Sequence, residues 1–128
     1  MGPKRVLVID DEPAVRPLLR LVLEGDGWKV RVAGDGQQGP ALGRQHHPDM
    51  VLLDVALPDI SGLEICRQIK SSTDTNPTSV VMVTAMAQEA DMRAALDVGA
   101  DDYVTKPWRP AVPIAKVSGL VQRPRRDR

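Results

Sequence analysis

The sequence predicts an α/β domain built on a mainly parallel β-sheet. Short apolar runs alternate with segments of helical periodicity, as expected when parallel strands are joined by right-handed helical crossovers. The clearest strand runs from Val51 to Leu53 and delivers Asp54 to its end. A strand that is buried on both faces has a continuous apolar sequence of this kind. Ligands of parallel sheets bind beyond the carboxyl ends of the strands, so Asp54 lies where a binding site is expected.

The first part of the chain contains two predicted strands and a helix between them. Val6–Ile9 is a fully apolar strand candidate, and the alternation from Trp28 to Ala33 predicts the second strand. Between them, Pro13 is expected as the first helical residue, with an acidic cap before it, and Gly25 ends the helix. The apolar residues that keep helical spacing here are Val15, Leu18, Leu19, Val22 and Leu23.

The second helix is predicted to be short. Because Gly39-Pro40 would break a helix interior, we expect the helix to start near Pro40, as its first residue, and to end near His46. The adjacent His46 and His47 could suggest a metal site, but the sequence places no third ligand nearby. A solvated helix end is therefore the favoured interpretation.

A capping box is predicted to open the third helix. Ser61 and Glu64 have the Ser-x-x-Glu spacing of that motif, and the helix is expected to reach about Ser71. One face of this helix carries Gly62, Ile65, Cys66 and Ile69. This placement favours Cys66 as a buried small hydrophobe over a reactive thiol, and as the only cysteine it forms no intrachain disulfide.

The remaining part of the chain supplies two more strands and two more helices. Val80–Val83 predicts the fourth strand, which ends at Thr84, and Asp102–Thr105 predicts the fifth. The helix between them stops at Gly99, and a last helix starts in the region 110–113. The apolar residues of these two helices are Met92, Ala95, Leu96, Ile114, Val117 and Val121.

Composition limits the class of protein. With 128 residues and a hydrophobic fraction of 42%, the chain suits a single globular domain with its own core. The 17 basic and 17 acidic residues give a formal net charge of +0, so no bulk attraction to nucleic acid or to an acidic membrane surface is expected. The N-terminal apolar run is too short for a signal peptide or a membrane span, and a cytoplasmic setting is expected.

Polar side chains collect where the predicted strands end. Asp10 and Asp11 follow the first strand, and Asp54 ends the third. Thr84 ends the fourth strand and Lys106 follows the fifth. Each residue alone has a structural explanation such as a helix cap, but parallel strands bring all five to one edge. Clustered carboxylates repel one another unless a cation intervenes, and oxygen ligands suit Mg²⁺. With a lysine and a hydroxyl beside the metal, the set predicts transfer of phosphate to or from a carboxylate.

Four segments together resemble the receiver domain of two-component response regulators. They are Val-Leu-Val-Ile-Asp-Asp-Glu-Pro, Pro-Asp-Met-Val-Leu-Leu-Asp-Val-Ala-Leu-Pro-Asp-Ile-Ser-Gly-Leu-Glu, Val-Thr-Ala and Gly-Ala-Asp-Asp-Tyr-Val-Thr-Lys-Pro. The resemblance covers roughly residues 5 to 122. It implies a flavodoxin-like (βα)5 fold, a three-layer sandwich around a five-stranded parallel sheet of order 2-1-3-4-5.

The resemblance also implies a role for each residue at the site. Asp54 would accept a phosphoryl group from the phosphohistidine of a histidine kinase. Asp11 and Asp54 would bind Mg²⁺ directly, together with the backbone carbonyl of Ala56. Asp10 would act on the metal mainly through water, and Lys106 would pair with a phosphoryl oxygen.

A conformational switch is a further implication of the resemblance. Thr84 would hydrogen-bond the phosphoryl group, Tyr103 would move inward behind it, and the small Ala85 would leave the group room. This motion would remodel the face formed by the fourth helix, the fifth strand and the fifth helix. The bond between Lys106 and Pro107 resembles the cis peptide of the family.

Several positions depart from the usual pattern of the family. Ala56 and Met86 stand two residues after the phosphoacceptor and two after the switch threonine, where receivers tune hydrolysis of the acyl phosphate. Neither side chain orients a water through a strong hydrogen bond, so we expect slow self-dephosphorylation. Trp108 replaces the usual Phe as a bulky apolar plug, and Gly39-Pro40 interrupts the usual second helix.

The expected role is a signalling switch, which catalyses only its own phosphotransfer and slow self-dephosphorylation. A phosphohydrolase of the haloacid dehalogenase type would need a second Asp where Ala56 stands. A dinucleotide-binding enzyme would need Gly-x-Gly-x-x-Gly after the first strand, where the chain has Asp10-Asp11-Glu12-Pro13. The remaining alternative is a receiver-like platform that binds proteins without phosphorylation, against which the intact set of site residues argues.

The receiver domain is predicted over residues 1–122, with residues 123–128 as a basic tail or linker stump. Since no effector domain follows, the sequence predicts either a single-domain regulator or a receiver from a longer chain. The expected partners are a sensor histidine kinase or phosphotransfer protein and a downstream effector or output domain. A homodimer through the switch face is compatible with the sequence, and this domain itself is expected to bind neither nucleic acid nor membrane.

Overall fold

The computed structural model describes residues 4–73, 75, 77–84 and 89–105. Its strands are β1 (Arg5–Ile9), β2 (Lys29–Ala33), β3 (Met50–Asp54), β4 (Ser79–Thr84) and β5 (Asp102–Thr105). Its helices are α1 (Val15–Gly25), α2 (Gln38–His46), α3 (Gly62–Ser71) and α4 (Glu89–Asp97). The strands are parallel and ordered β2-β1-β3-β4-β5, which confirms the predicted fold. The last predicted helix, with Ile114, Val117 and Val121, lies outside the described residues.

The sheet separates two apolar clusters, because alternate side chains of a strand point to opposite faces. One cluster joins the sheet to α3 and α4 and contains Leu7, Ile9, Val51, Leu53, Ile65, Cys66, Ile69 and Ala95. The other joins the sheet to α1 and contains Val6, Val8, Met50, Leu52, Leu19, Leu23, Trp28 and Val30. These clusters produce the predicted three layers. Within the described ranges, no helix is both long and apolar enough to cross a membrane.

Helix α2 starts earlier than the sequence predicts. It ends at His46 as expected, but it begins at Gln38, so the prediction of Pro40 as its first residue is wrong. The first N–H groups of a helix have no partner within the helix, so a proline in the first turn removes no helical hydrogen bond. His47 follows the helix in a left-handed conformation with φ of 46° and is exposed, in agreement with a solvated helix end.

Helix α1 starts later than the sequence predicts. Pro13 and Ala14 lie in a turn and the helix begins at Val15, so the prediction of Pro13 as the first helical residue with an acidic cap is wrong. The N–H of Glu12 donates to Asp10 Oδ1 at 2.9 Å, which holds the chain in a turn before the helix. Leu18 also departs from the expected apolar face, since 45% of it is exposed.

The predictions for α3 are confirmed in most respects. The helix ends at Ser71, and Cys66 is fully buried on the predicted face. Ser61 caps the helix by accepting a hydrogen bond from the N–H of Leu63 at 3.2 Å. Glu64 accepts hydrogen bonds from the guanidinium of Arg67, so the reciprocal half of the capping box is replaced by an exposed ion pair.

A buried ion pair joins three elements at the amino ends of the strands. Lys70 Nζ lies 2.7 Å from Asp101 Oδ2, and the two side chains are only 7% and 13% exposed. Lys70 also donates to the carbonyl of Thr78, while the carboxylate of Asp101 accepts the N–H of Val80 at 2.8 Å. The pair therefore connects the end of α3 to the start of β4 and to the loop before β5, far from the carboxyl ends of the strands.

We predict that Asp101→Asn lowers the free energy of unfolding by about 3 kcal/mol. The substitution keeps an acceptor for Val80 but removes the negative charge that the buried ammonium of Lys70 contacts. Urea denaturation of the native and variant chains measures the difference.

Glu64→Gln is the matched control, because it neutralises the exposed partner of Arg67. Exposed pairs contribute little, so this variant should unfold almost as the native chain does. Equal effects of the two substitutions would contradict a special contribution from the buried pair.

Candidate functional site

Strand β3 delivers Asp54 to the carboxyl edge of the sheet. Every residue of this strand is buried, and Asp54 itself is 4% exposed. The ladder continues past the strand, since the N–H of Val55 donates to the carbonyl of Val83 at 2.9 Å. The next N–H, that of Ala56, donates to Asp54 Oδ1 at 3.0 Å. The carboxylate is thus oriented by the backbone of the turn that follows it.

Strand β1 brings Asp10 next to Asp54. Ile9 pairs with Leu53 in the parallel ladder, so the residues that follow them leave the sheet side by side. Asp10 is 1% exposed, and its N–H donates to the carbonyl of Ala33 at 3.1 Å. Its carboxylate accepts the N–H of Glu12 at 2.9 Å, which turns Glu12 back toward the site.

Three carboxylates meet at this edge, and we call Asp10, Glu12 and Asp54 the acidic cluster. One oxygen from each lies within 4.8 Å of the others. Two of the three residues are buried and Glu12 is exposed. Oxygen-only donors at such separations fit a hard divalent cation, which would also relieve the repulsion between the carboxylates.

Glu12 was not among the residues predicted for the site. The sequence signal for it was its position as the third acidic residue in a row after β1. The turn at Asp10 that brings it to the site is seen only in the structure. Asp11 is half-buried and does not belong to the acidic cluster in the described part of the chain. Its direct role toward a metal stays a prediction.

Glycine at position 62 lets helix α3 approach the backbone of Asp54. A Cβ at Gly62 would lie 2.1 Å from the carbonyl oxygen of Asp54, so no larger residue fits without a shift. The N–H of Gly62 also donates to the carbonyl of Val55 at 2.9 Å. The start of α3 thus packs against the backbone of Asp54 and holds the turn that follows it.

Asp59 anchors the loop after β3 to the loop after β2. Its two carboxylate oxygens accept the N–H groups of Gly36 and Gln37, both at 2.9 Å. The hydrogen bond from Gly36 is the main cause that lowers the pKa of Asp59 below its ordinary value of 3.8. A side chain at Gly36 would force Ile60 to shift, because a Cβ would lie 2.1 Å from Ile60 Cγ2.

Arg16 holds the turn after β1 from the other side. Its Nη1 donates to the carbonyl of Asp10 at 2.8 Å. The guanidinium also lies against Gly34, where a Cβ would be 2.9 Å from Nη1. The backbone of Asp10 is therefore held by the end of β2 and by the start of α1.

The remaining predicted site residues are only partly described. Thr84 ends β4, and its backbone pairs with that of Thr105. Tyr103 is half-buried in β5 and packs against the cluster that contains α3. Ala56 is exposed after β3. Lys106, Pro107, Ala85 and Met86, together with Trp108, lie outside the described residues.

Comparison with known proteins is consistent across sequence and structure. Residues 6–118 match the model of the response regulator receiver domain. The chain is 38% identical over 120 residues to the DNA-binding response regulator MtrA of Mycolicibacterium smegmatis, covering 94% of this chain and 51% of that protein. It is 42% identical over 122 residues to the transcriptional regulatory protein TrcR of Mycobacterium tuberculosis, covering 95% and 47%. The chain thus spans about half the length of these relatives.

Solved structures show the same fold over nearly the whole chain. A putative response regulator from Chloroflexus aurantiacus superposes with a TM-score of 0.89 at 31% identity, covering 95% of this chain and 100% of that one. The chemotaxis protein CheY4 of Vibrio cholerae superposes with a TM-score of 0.88 at 23% identity, covering 92% and 98%. Because only 23% of the residues are identical, the similarity to CheY4 supports the fold alone.

We predict that Asp59→Asn lowers stability at neutral pH and that its effect fades in acid. Because folding lowers the pKa of Asp59, its contribution is complete above the unfolded value near 3.8 and is lost as the pH falls through the folded pKa. The measurement is the free energy of unfolding of both chains between pH 7 and about pH 3.

Asp26→Asn serves as the control, since it removes an exposed carboxylate far from this loop. It should give little pH-dependent difference. A deficit of Asp59→Asn that persists unchanged at the lowest pH would contradict the role of the charge.

Proposed function

Since the chain belongs to the response regulator receiver domain family, we propose that it is switched by phosphorylation of Asp54. The phosphoryl group would come from the phosphohistidine of a sensor histidine kinase or of a phosphotransfer protein. The observation that carries this proposal is the convergence of Asp54 with two further carboxylates at the carboxyl edge of the sheet. The same edge is where parallel α/β sheets bind their ligands.

Mg²⁺ is the cofactor that we propose for the acidic cluster. Its donors are all oxygens, and Mg²⁺ commonly binds phosphate through one or two carboxylates with water completing the shell. Asp54, Asp10 and Glu12 are in position to hold it, while direct ligation by Asp11 and by the carbonyl of Ala56 follows from family resemblance. When bound, the ion would neutralise charge on the phosphoryl oxygens.

Transfer of the phosphoryl group needs a carboxylate nucleophile, and it replaces the P–N bond of the donor with a P–O bond to Asp54. An oxygen of Asp54 attacks the phosphorus, the P–N bond to the donor histidine breaks, and an acyl phosphate forms on Asp54. The N–H of Ala56 keeps the carboxylate oriented during the attack. Lys106 would pair with a phosphoryl oxygen and Thr84 would donate its hydroxyl. The chain is thus a switch that promotes its own modification, not an enzyme with a separate substrate.

Phosphorylation would change the shape of the face formed by α4, β5 and the helix expected after residue 110, and partners would bind this face. Tyr103 belongs to β5 of this face, and Thr84 ends the neighbouring strand β4, which pairs in parallel with β5. Movement of Thr84 toward the phosphoryl group would draw Tyr103 inward and reshape the face. A downstream effector, an output domain or a second copy of this chain would read the change.

The extent of the domain and its setting complete the proposal. We assign the receiver to residues 1–122 and a basic tail or linker to residues 123–128. MtrA is named as a DNA-binding response regulator, so DNA is a target that an output domain would reach, not the receiver itself. The receiver would act in the cytoplasm.

We predict that acetyl phosphate adds one phosphoryl group to the native chain in the presence of Mg²⁺. Asp54→Asn should show no adduct, because the amide is not a nucleophile toward phosphorus at neutral pH. Mass spectrometry of the intact protein, with and without Mg²⁺, measures the addition.

Asp26→Asn is the control for loss of an unrelated carboxylate and should still be phosphorylated. An unmodified but folded native chain would reject the proposal. The phosphorylation-independent platform would then be the better description, and partner binding by unmodified protein would become the measurement.

We predict that the acyl phosphate is lost slowly, at the long-lived end of the range of receiver domains. Ala56 and Met86 provide no hydrogen bond that would orient an attacking water. The decay of the mass adduct after removal of acetyl phosphate gives the lifetime. Ala56→Asn introduces a polar group beside the acceptor and should shorten it, whereas rapid decay of the native adduct would contradict the hypothesis.

A further inference from the structure

A cationic cavity lies at the opposite end of the sheet from Asp54. It has a volume of about 310 Å³ and is bounded by the first residues of β1 and β2, by α1 and by the segment after α2. The charged side chains among its described lining residues are Arg5, Arg20, Glu24, Lys29 and Arg31. Four positively charged residues and one negatively charged residue thus line the cavity, in a chain whose formal net charge is +0.

Two of the guanidinium groups are held in place by backbone carbonyls. Arg5 Nη1 donates to the carbonyl of His46 at 3.0 Å, and Arg20 Nη2 donates to the carbonyl of Val30 at 2.9 Å. Arg20 also lies 3.6 Å from the carboxylate of Glu24. A guanidinium has five N–H donors, so each keeps donors for a ligand after these contacts. Groups fixed in this way lose little entropy when they bind an anion.

The other two cations are arranged in a way that favours an anion between them. Lys29 and Arg31 are two residues apart on the edge strand β2, so their side chains leave the same side of the strand. Both are exposed, and in the described part of the chain neither forms an ion pair. Like charges at this spacing repel each other, and a bound anion would remove the repulsion.

The cavity also has an apolar wall. Val6, Trp28, Val30 and Pro48 contribute to its lining beside the charged groups. A volume of about 310 Å³ falls at the lower end of the range for small-molecule sites, and such sites combine an apolar wall with a few fixed polar groups. A compact anion with an apolar body fits this lining better than an inorganic ion does.

We propose that the cationic cavity binds an organic phosphate of nucleotide size. Its phosphate groups would contact Lys29, Arg31 and the guanidinium of Arg5, and its apolar body would lie against Trp28 and Pro48. The cationic cavity is separate from the phosphoacceptor site. It is lined by the first residues of β1 and β2, whereas Asp10 and Asp54 lie at the carboxyl ends of β1 and β3. This inference does not depend on phosphorylation of Asp54.

The test is calorimetric titration of the full chain with ATP, in buffer that contains EDTA so that no metal links the nucleotide to the acidic cluster. We expect binding by the native chain and a loss of affinity of at least about tenfold in Lys29→Gln/Arg31→Gln, because charge-assisted hydrogen bonds are removed. Amide shifts of residues 28–31 in NMR spectra locate the bound nucleotide. Pyrophosphate, which lacks the apolar body, should bind more weakly than ATP.

Arg44→Gln is the matched control, because Arg44 is an exposed cation on α2 that does not line the cavity. It should bind ATP as the native chain does. All variants should remain folded, with the same circular dichroism spectrum as the native chain. Absence of ATP binding by the native chain would overturn the proposal, as would equal affinity in the double variant. Equal affinity for pyrophosphate and ATP would overturn the assignment to an organic phosphate.

Discussion

The register between β1 and β3 is the constraint on which the site depends. Because Ile9 pairs with Leu53, Asp10 and Asp54 leave the sheet side by side and almost fully buried. Two neighbouring carboxylates in such a place lose hydration and repel each other, and both effects cost free energy. The apolar residues of the two strands, which pack on both faces of the sheet, hold the register against this cost.

The turns that follow the strands offset part of that cost. The N–H groups of Glu12 and Ala56 donate to the carboxylates of Asp10 and Asp54, and such bonds to a charged acceptor are stronger than those between neutral groups. Gly62 permits the close approach of α3 that stabilises the second turn. The proposed phosphorylation of Asp54 would add further negative charge at the same place, and a bound cation would offset that charge.

The resemblance to receiver domains was sufficient to predict the strand order. The position of Asp54 could be predicted from the residues themselves, because a buried parallel strand with a carboxylate at its end has a recognisable sequence pattern. Boundaries next to prolines were predicted less well. Pro40 lies inside the first turn of α2 and Pro13 lies before α1, since a proline is compatible with both positions. Glu12 was missed because its place in the acidic cluster depends on a turn at Asp10, which no periodicity reveals.

The two charged sites lie at opposite ends of strand β1, whose five residues span about 16 Å. Salt at physiological strength screens solvent-exposed charges over about 8 Å, so the cations of the cavity should exert little direct force on the acidic cluster. A link between them would instead require β1 to shift within the core, where Val8 and Ile9 are fully buried. Closely packed interiors resist such shifts. The physical expectation is therefore a phosphoacceptor and an anion site that are occupied independently, although one strand contributes residues to both.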